Sequence, residues 1–495
     1  MSGLDIFADG AIAFLRWDVM LAILIGMSLG LFFGLLPGIG GVTALALLLP
    51  LVQGMDPLPG LAFLLSVHAV IYNGGSVTAV LFGVPGAPPS AATLIDGQPL
   101  ARQGRAAYAI AAALSASAIG GVIGALALGF LLPVLKPVVF LLGSPETFLL
   151  ALAGVACLAI LGKGSMTKGL IAGGLGLCLA MVGYQQTTGV PRFWFGSDYL
   201  LDGFRVVPVV TGLFAIPELV RLAMTGSAIG PDKADGAMPA RQIVDGILAP
   251  LRHWTLTLRC SLLGVLIGII PGIGGEASSF IAYGTAKQTS PNAAEFGKGA
   301  IEGVIAPESA NNAKEGGALV PTLALGIPGS SGMVLMLGAF QLLGLEPGPR
   351  FLKTHMDLAI GLTLTLAVAN VLSAVMMLAL ARPLVSVSAL PGRVLAPLLM
   401  AIVLLGVYAV EGSFADIAVT FLFGSFGLAM QGLGYGRAAL VLGFVLGHLV
   451  ETYFGISLQA YGVGFLLRPT TLAIGLLLLA GMFWRPAVQM LLRRR

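Results

Sequence analysis

The 495-residue sequence predicts an all-α membrane protein: a polytopic helical bundle of two repeated halves, broken into shorter helices or re-entrant hairpins at Pro-Gly motifs. Three observations predict it. Hydrophobic residues make up 57% of the chain and charged ones only 10%, with a mean hydropathy of +0.98, far from the roughly quarter-charged make-up of soluble domains. Apolar stretches of spanning length recur between about residues 19 and 484, enough for roughly 11 to 14 crossings. One order of Pro-Gly motifs also occurs twice.

The first half contains GLLPGIGG at 34–41 and the second GIIPGIGG at 268–275, a displacement of 271 − 37 = 234 residues on the prolines. Further on, Gly74-Gly75 precedes GVPG at 83–86, and Gly316-Gly317 precedes GIPG at 326–329, a displacement of 328 − 85 = 243. Weaker echoes follow, Gly164-Ser165 with Gly412-Ser413 and Gly183-Tyr184 with Gly434-Tyr435. The expected organisation is therefore a first membrane repeat over 1–224, a polar connecting loop over 225–252 on the cytoplasmic side, and a second membrane repeat over 253–495. Basic loops favour the cytoplasm. Placing Arg102, Arg105, Lys168 and the Arg493 to Arg495 tail there puts Gly434-Tyr435 inside and Gly183-Tyr184 outside, so the repeat reads as inverted.

Composition excludes several classes. The net charge of +4 is spread over short loops, without a basic stripe and interleaved aromatics, so no nucleic-acid partner is expected; the lipid bilayer is. Cys157, Cys178 and Cys260 lack the spacing of a zinc site or the even count of a disulfide framework, and read as packing residues. The four histidines offer no pair at i, i+4, so no metal site is argued, and no cofactor is expected. The N-terminus MSGLDIFADG lacks a basic n-region and a small-residue cleavage site, so the apolar run near Val19 is expected to stay as a span.

Proline removes a backbone donor and glycine admits positive φ, so the two PGIGG segments should unwind a helix and restart it. Such a restart exposes unpaired N–H groups at the positive end of a helix dipole, a seat for an anionic group. Two copies of such a broken segment point to a transporter's midplane site; a kink that only eases packing is the plainer alternative. This places Pro37, Gly38, Gly40, Gly41 and Thr43, and Gly272, Gly274, Gly275 and Ser278, at a candidate substrate site. Gly86 and Gly329, Ser330 and Ser331 join them from the second motif pair, with the two serines equally able to bond their own backbone. Asn73 and Ser76 precede the first GVPG, whereas Asp96 to Pro99 reads as a turn at the membrane surface.

The polar run from Glu302 to Gly317 is the other focus. Glu308, Asn311 and Asn312 fall at i, i+3 and i+4, one face of a helical turn, and ionisable groups at membrane depth are costly and usually functional. Glu302, Lys314 and Glu315 are as well explained by a solvated loop. Glu276, after a double glycine, is either a helix-terminal cap or, with Glu308, a cation-coupling carboxylate.

These residues carry a resemblance. GLLPGIGGVTALALLLP at 34–50, DGQP at 96–99 with Arg102 and Gly104, and FGKGAIEGVIAPESANNAKEGGALVPTLALGIPG at 296–329 resemble the large transmembrane (permease) subunit of the tripartite tricarboxylate transporter family. The resemblance implies a multi-pass protein of the bacterial inner membrane that imports a small carboxylate. Its partners would be a small membrane subunit and a periplasmic solute-binding protein, and its coupling ion sodium or a proton. It also implies that the Pro-Gly loops, Asn73, Glu308, Asn311, Asn312 and Ser330 lie at the substrate or ion site. Glu276 and the Lys314-Glu315 pair stand where small residues are expected in that family. A passive channel is the alternative. An intramembrane enzyme is a weaker one, since Gly-x-Ser-x-Gly and His-Glu-x-x-His are both absent.

Overall fold

The computed structural model describes residues 3–35, 40–83, 87–139, 142–161, 165–185, 188–225, 239–270, 274–387 and 392–476. The first half runs α1 (Gly3–Phe14), α2 (Trp17–Leu35), α3 (Gly41–Leu48), α4 (Pro57–Phe82), α5 (Ser90–Leu100), α6 (Ala106–Val139), α7 (Ser144–Leu161), α8 (Met166–Ala180) and α9 (Val206–Thr225). The second runs α10 (Ala240–Arg252), α11 (Trp254–Ile269), α12 (Gly274–Thr289), α13 (Glu302–Leu325), α14 (Ser331–Leu342), α15 (Pro349–Thr354), α16 (Met356–Val387), α17 (Gly392–Glu411), α18 (Phe414–Gly432) and α19 (Arg437–Tyr461). Among the described residues the strands are one two-residue pair, β1 (Gly183–Tyr184) against β2 (Pro191–Arg192). Among the described residues, seven helices are long and apolar enough to cross a membrane, and five shorter apolar ones accompany them. The protein is an all-α membrane protein, as its composition predicts.

Glycine spacing decides how the helices approach. Gly26, Gly30 and Gly34 repeat every four residues on one face of α2, and α4 lies directly against them. A Cβ at these positions would stand 2.4, 2.6 and 2.1 Å from the carbonyl oxygens of Phe63, Val67 and Ile71. The same device joins α11 to α13, where Cβ atoms on Gly264 and Gly268 would each meet a carbonyl, of Ala310 and Lys314, at 2.3 Å. It also joins α6 to α13 through Gly120 and Gly124. Small residues allow this backbone contact in lipid, where apolar side chains gain little from leaving one hydrocarbon for another. Gly30→Val is expected to cost about 1–3 kcal/mol by overpacking, seen as a lowered melting temperature of the purified protein in detergent.

Across the centre, α4 and α13 run in opposite directions side by side. His68 meets Glu315, Asn73 meets Asn312, and Ser76 meets Glu308, so one index rises as the other falls. The flanking helices cross over: α6 packs on α13 and α16 on α4, while α1 lies on α16 and α10 on α6. Both α4 and α13 end in a left-handed glycine, Gly83 at φ 67° and Gly326 at φ 69°, each heading its Pro-Gly motif.

Two expectations need correction. Residues 240–252, read as part of a polar loop, form the helix α10, because Ile243, Ile247 and Leu251 recur at helical spacing beside Gly246, which sits on α6. The Asp96 to Pro99 segment is not a surface turn. It lies in α5, and Asp96 is fully buried.

Candidate functional site

The Pro-Gly segments deliver short helices into the interior. α3 restarts at Gly41 after an extended Gly40, and its first helical bond runs from the Ala44 N–H to the Gly40 carbonyl. α14 restarts at Ser331, where Ser330 is extended and its hydroxyl accepts the Met333 N–H at 3.4 Å. Ser330 is thus a helix cap. Gly329 is held by close approach, since a Cβ there would stand 2.5 Å from the Ala318 backbone. Thr43 is buried in α3, and Ser331 is half-buried at the head of α14. In the second PGIGG copy, Gly274, Gly275 and Glu276 form the first turn of α12, and the buried Ser278 donates to the Ala310 carbonyl at 3.4 Å. Pro37, Gly38, Gly86 and Gly272 lie outside the described residues, as do the side-chain surroundings of Glu276.

Three polar clusters line the α4–α13 seam. In the first, the buried Glu308 carboxylate accepts hydroxyls from three helices: Ser76 at 2.6 Å from α4, Ser117 at 2.7 Å from α6, and Thr93 from α5. No cation among the described residues pairs with it. The carboxylate and three hydroxyls form an all-oxygen group, the donor set that suits a hard cation or a shared proton.

The second cluster is a chain of amides. The Asn312 amide donates to Asn73 at 3.1 Å and to Asn370 at 2.6 Å, and Asn73 donates to Ser373 at 2.8 Å. Asn311 donates weakly to Asn312 at 3.4 Å, while its own buried Oδ1 has no hydrogen-bond partner. Asn73, Asn311 and Asn312, singled out in the sequence, therefore come together. Asn370 and Ser373 complete the group from α16.

The third cluster is one that the sequence does not single out. Lys314 and Glu315, for which a solvated loop was an equal explanation, are buried at 2% and 0% side-chain exposure and paired with each other. Glu315 also holds His68, with Nε2 at 3.2 Å, and the Lys314 ammonium sits 5.0 Å from the centre of the Tyr72 ring. The helical period explains the correction: α13 is buried all round, so no face remains for solvent. The His68 ring lies between the two restarted helices. A Cβ on Gly41 would stand 3.1 Å from its Nδ1, and one on Gly332 only 2.1 Å from its Cε1. The sequence offers this histidine no metal-binding mate, yet a lone imidazole inside an apolar run is itself a costly feature.

Asp96 locks the far end of the seam. Its Oδ1 accepts the backbone N–H groups of Gly297, Gly299 and Ala300 at 2.7 to 2.9 Å, and its Oδ2 accepts the Tyr283 hydroxyl at 2.9 Å. Gly297 at φ 88° and Gly299 at φ 110° turn those N–H groups inward. Asp96→Ala is expected to strand four donors and to destabilise the α12–α13 connection by about 2–4 kcal/mol; proteolysis within 290–300 would report it. Among the described residues no group of His, Cys, Asp and Glu could hold a transition metal.

The sequence profile of the tripartite tricarboxylate transporter TctA family matches residues 20–442. The chain belongs to that family. As a TctA-family protein it is a multi-pass membrane subunit of a tripartite transporter. Two relatives from Agrobacterium vitis are similar. One, described as an uncharacterized 52.8 kDa protein in the TAR-I ttuC' 3'region, is 34% identical over 432 residues, 87% of this chain and 85% of the relative. The other, an uncharacterized protein in the TAR-II ttuC' 3'region, is 38% identical over 190 residues, 38% of this chain and 78% of the relative. No solved structure matches this TctA-family chain.

Proposed function

We propose that the chain is the permease of a cation-coupled importer of small carboxylates in the bacterial inner membrane, working with a small membrane subunit and fed by a periplasmic solute-binding protein. One observation carries the reading: the starts of α3 and α14, one from each half, converge on a single buried polar group at His68. Two positive helix ends aimed at one interior point suit a carboxylate, and in a membrane such ends mark the transport site. Membership of the TctA family supports the tripartite assembly.

An inverted repeat is part of the proposal. The antiparallel run of α4 beside α13 supports it, because these helices occupy equivalent places in the two halves. So does Lys168 at the head of α8, whose ammonium bonds the Leu433 carbonyl at 2.6 Å, at the tail of the equivalent helix α18. Glu308 with its hydroxyls is the proposed site of the coupling ion, sodium or proton, and Glu276 in the first turn of α12 is a second candidate.

The test is uptake of radiolabelled citrate, succinate and terephthalate into proteoliposomes holding the chain and its small subunit. Binding protein is added, and inward sodium or proton gradients are applied singly. Accumulation of one acid only with a gradient supports the carrier. Equilibration without accumulation would make it a channel, and a new product would make it an enzyme.

A further inference from the structure

We propose that His68 takes up a proton when the substrate carboxylate binds, so that the imidazolium completes the anion seat at the starts of α3 and α14. The inference rests on the carrier reading and adds to it a residue and a proton.

The geometry starts with burial. His68 is 1% exposed and sits in the middle of α4, yet neither ring nitrogen makes a hydrogen bond of good geometry: Nε2 stands 3.2 Å from the Glu315 carboxylate as an ion-pair contact, and Nδ1 lies against Gly41, the first residue of α3. Its other edge faces Gly332 in the first turn of α14. The leading N–H groups of a helix have no partners within it, so two helix ends and one imidazole nitrogen converge on the same point. A carboxylate placed there would be met by backbone donors, but neutral imidazole with its proton on Nε2 offers it a lone pair at Nδ1. Only the protonated ring donates from both nitrogens.

The charges around His68 are balanced before the substrate arrives. Glu315 holds Nε2 from α13, and Lys314 on the same helix is paired with Glu315, so lysine and glutamate cancel. The cluster is neutral when His68 is neutral, and gains one positive charge when it is protonated, matching one arriving carboxylate. Tyr72 on α4 is the other titratable group at hand, its ring edge-on to the imidazole at 5.7 Å between centres. α3 and α14 carry no ionisable side chain, and the charge on α2, Asp18, is in its opposite first turn. Glu315 orients the ring, Lys314 balances Glu315, and His68 carries the exchangeable proton.

The consequence is linkage: where the imidazole is neutral before binding, each bound carboxylate brings one proton, and affinity falls by up to about tenfold per pH unit. The experiment is isothermal titration of citrate and of succinate into the full chain in lipid nanodiscs, at fixed sodium, over roughly pH 7 to 9, where both acids are ionised. Each titration is repeated in two buffers of different ionisation enthalpy to count protons. Wild type is expected to take up close to one proton per acid. His68→Gln is expected to take up none and to bind with an affinity independent of pH. Binding by wild type without proton uptake, or by His68→Gln with uptake unchanged, overturns the inference and leaves the carrier reading standing. Failure of both acids to bind wild type at any pH, with binding protein present, overturns both.

Discussion

Glu308→Gln is expected to reduce gradient-driven uptake by roughly a hundredfold or more while the protein remains folded. The carboxylate is the acceptor for hydroxyls from α4, α5 and α6 at once, and none of the described cations neutralises it. Glutamine retains a carbonyl oxygen for part of that set, and the hydroxyls can rotate to accept from the new amide, so the helices stay together. What is lost is the negative charge that would hold a sodium ion or accept a proton. Uptake measured with and without each gradient separates the outcomes: loss of accumulation with residual exchange of substrate identifies Glu308 with coupling. Accumulation at the wild-type level would move the coupling site elsewhere, with Glu276 next to be tested.

The second large effect concerns the buried ion pair. Glu315→Leu alone leaves the Lys314 ammonium inside the membrane portion without its partner, and is expected to cost about 3–5 kcal/mol. Lys314→Met alone leaves a buried carboxylate with only His68 to meet it, and should be comparably harmful. The double substitution removes both charges and keeps the volume, and is expected to regain most of the loss, because the desolvation cost disappears with the attraction. Melting temperatures of the four proteins close the cycle. If the double variant is as unstable as the sum of the singles, the pair is not coupled as its geometry requires.

Much of this architecture is legible in the sequence, for identifiable reasons. Helices within lipid announce themselves by composition, since the backbone must satisfy itself there. The broken helices announce themselves through proline and glycine, whose backbone limits are local. Glu308, Asn311 and Asn312 are legible because their spacing matches one helical turn. The errors are tertiary. Asp96 looks like a turn residue beside Gly97 and Pro99, but its destiny is set by three N–H groups about 200 positions away, which no local pattern displays. For Lys314 and Glu315 a solvated loop and a buried role are equal alternatives in the sequence, because their mates, His68 and Tyr72, lie on another helix. Thr93, Ser117, Asn370 and Ser373 are single polar residues in helical runs, indistinguishable before folding from residues that bond their own backbone.

The two kinds of helix contact described above imply different mechanical behaviour. Where glycine lets one backbone lie on another, as along α2 with α4 and α11 with α13, few side-chain atoms intervene that could change rotamer, so each pair is expected to move as a stiff beam. The interface between the beams is built instead from carboxylate, hydroxyl, amide and imidazole groups. Such bonds can be exchanged one for another without opening a void. Any slip between them is therefore expected in the plane where the polar groups lie, and on the proposed carrier reading that plane is where a seated carboxylate would change its exposure.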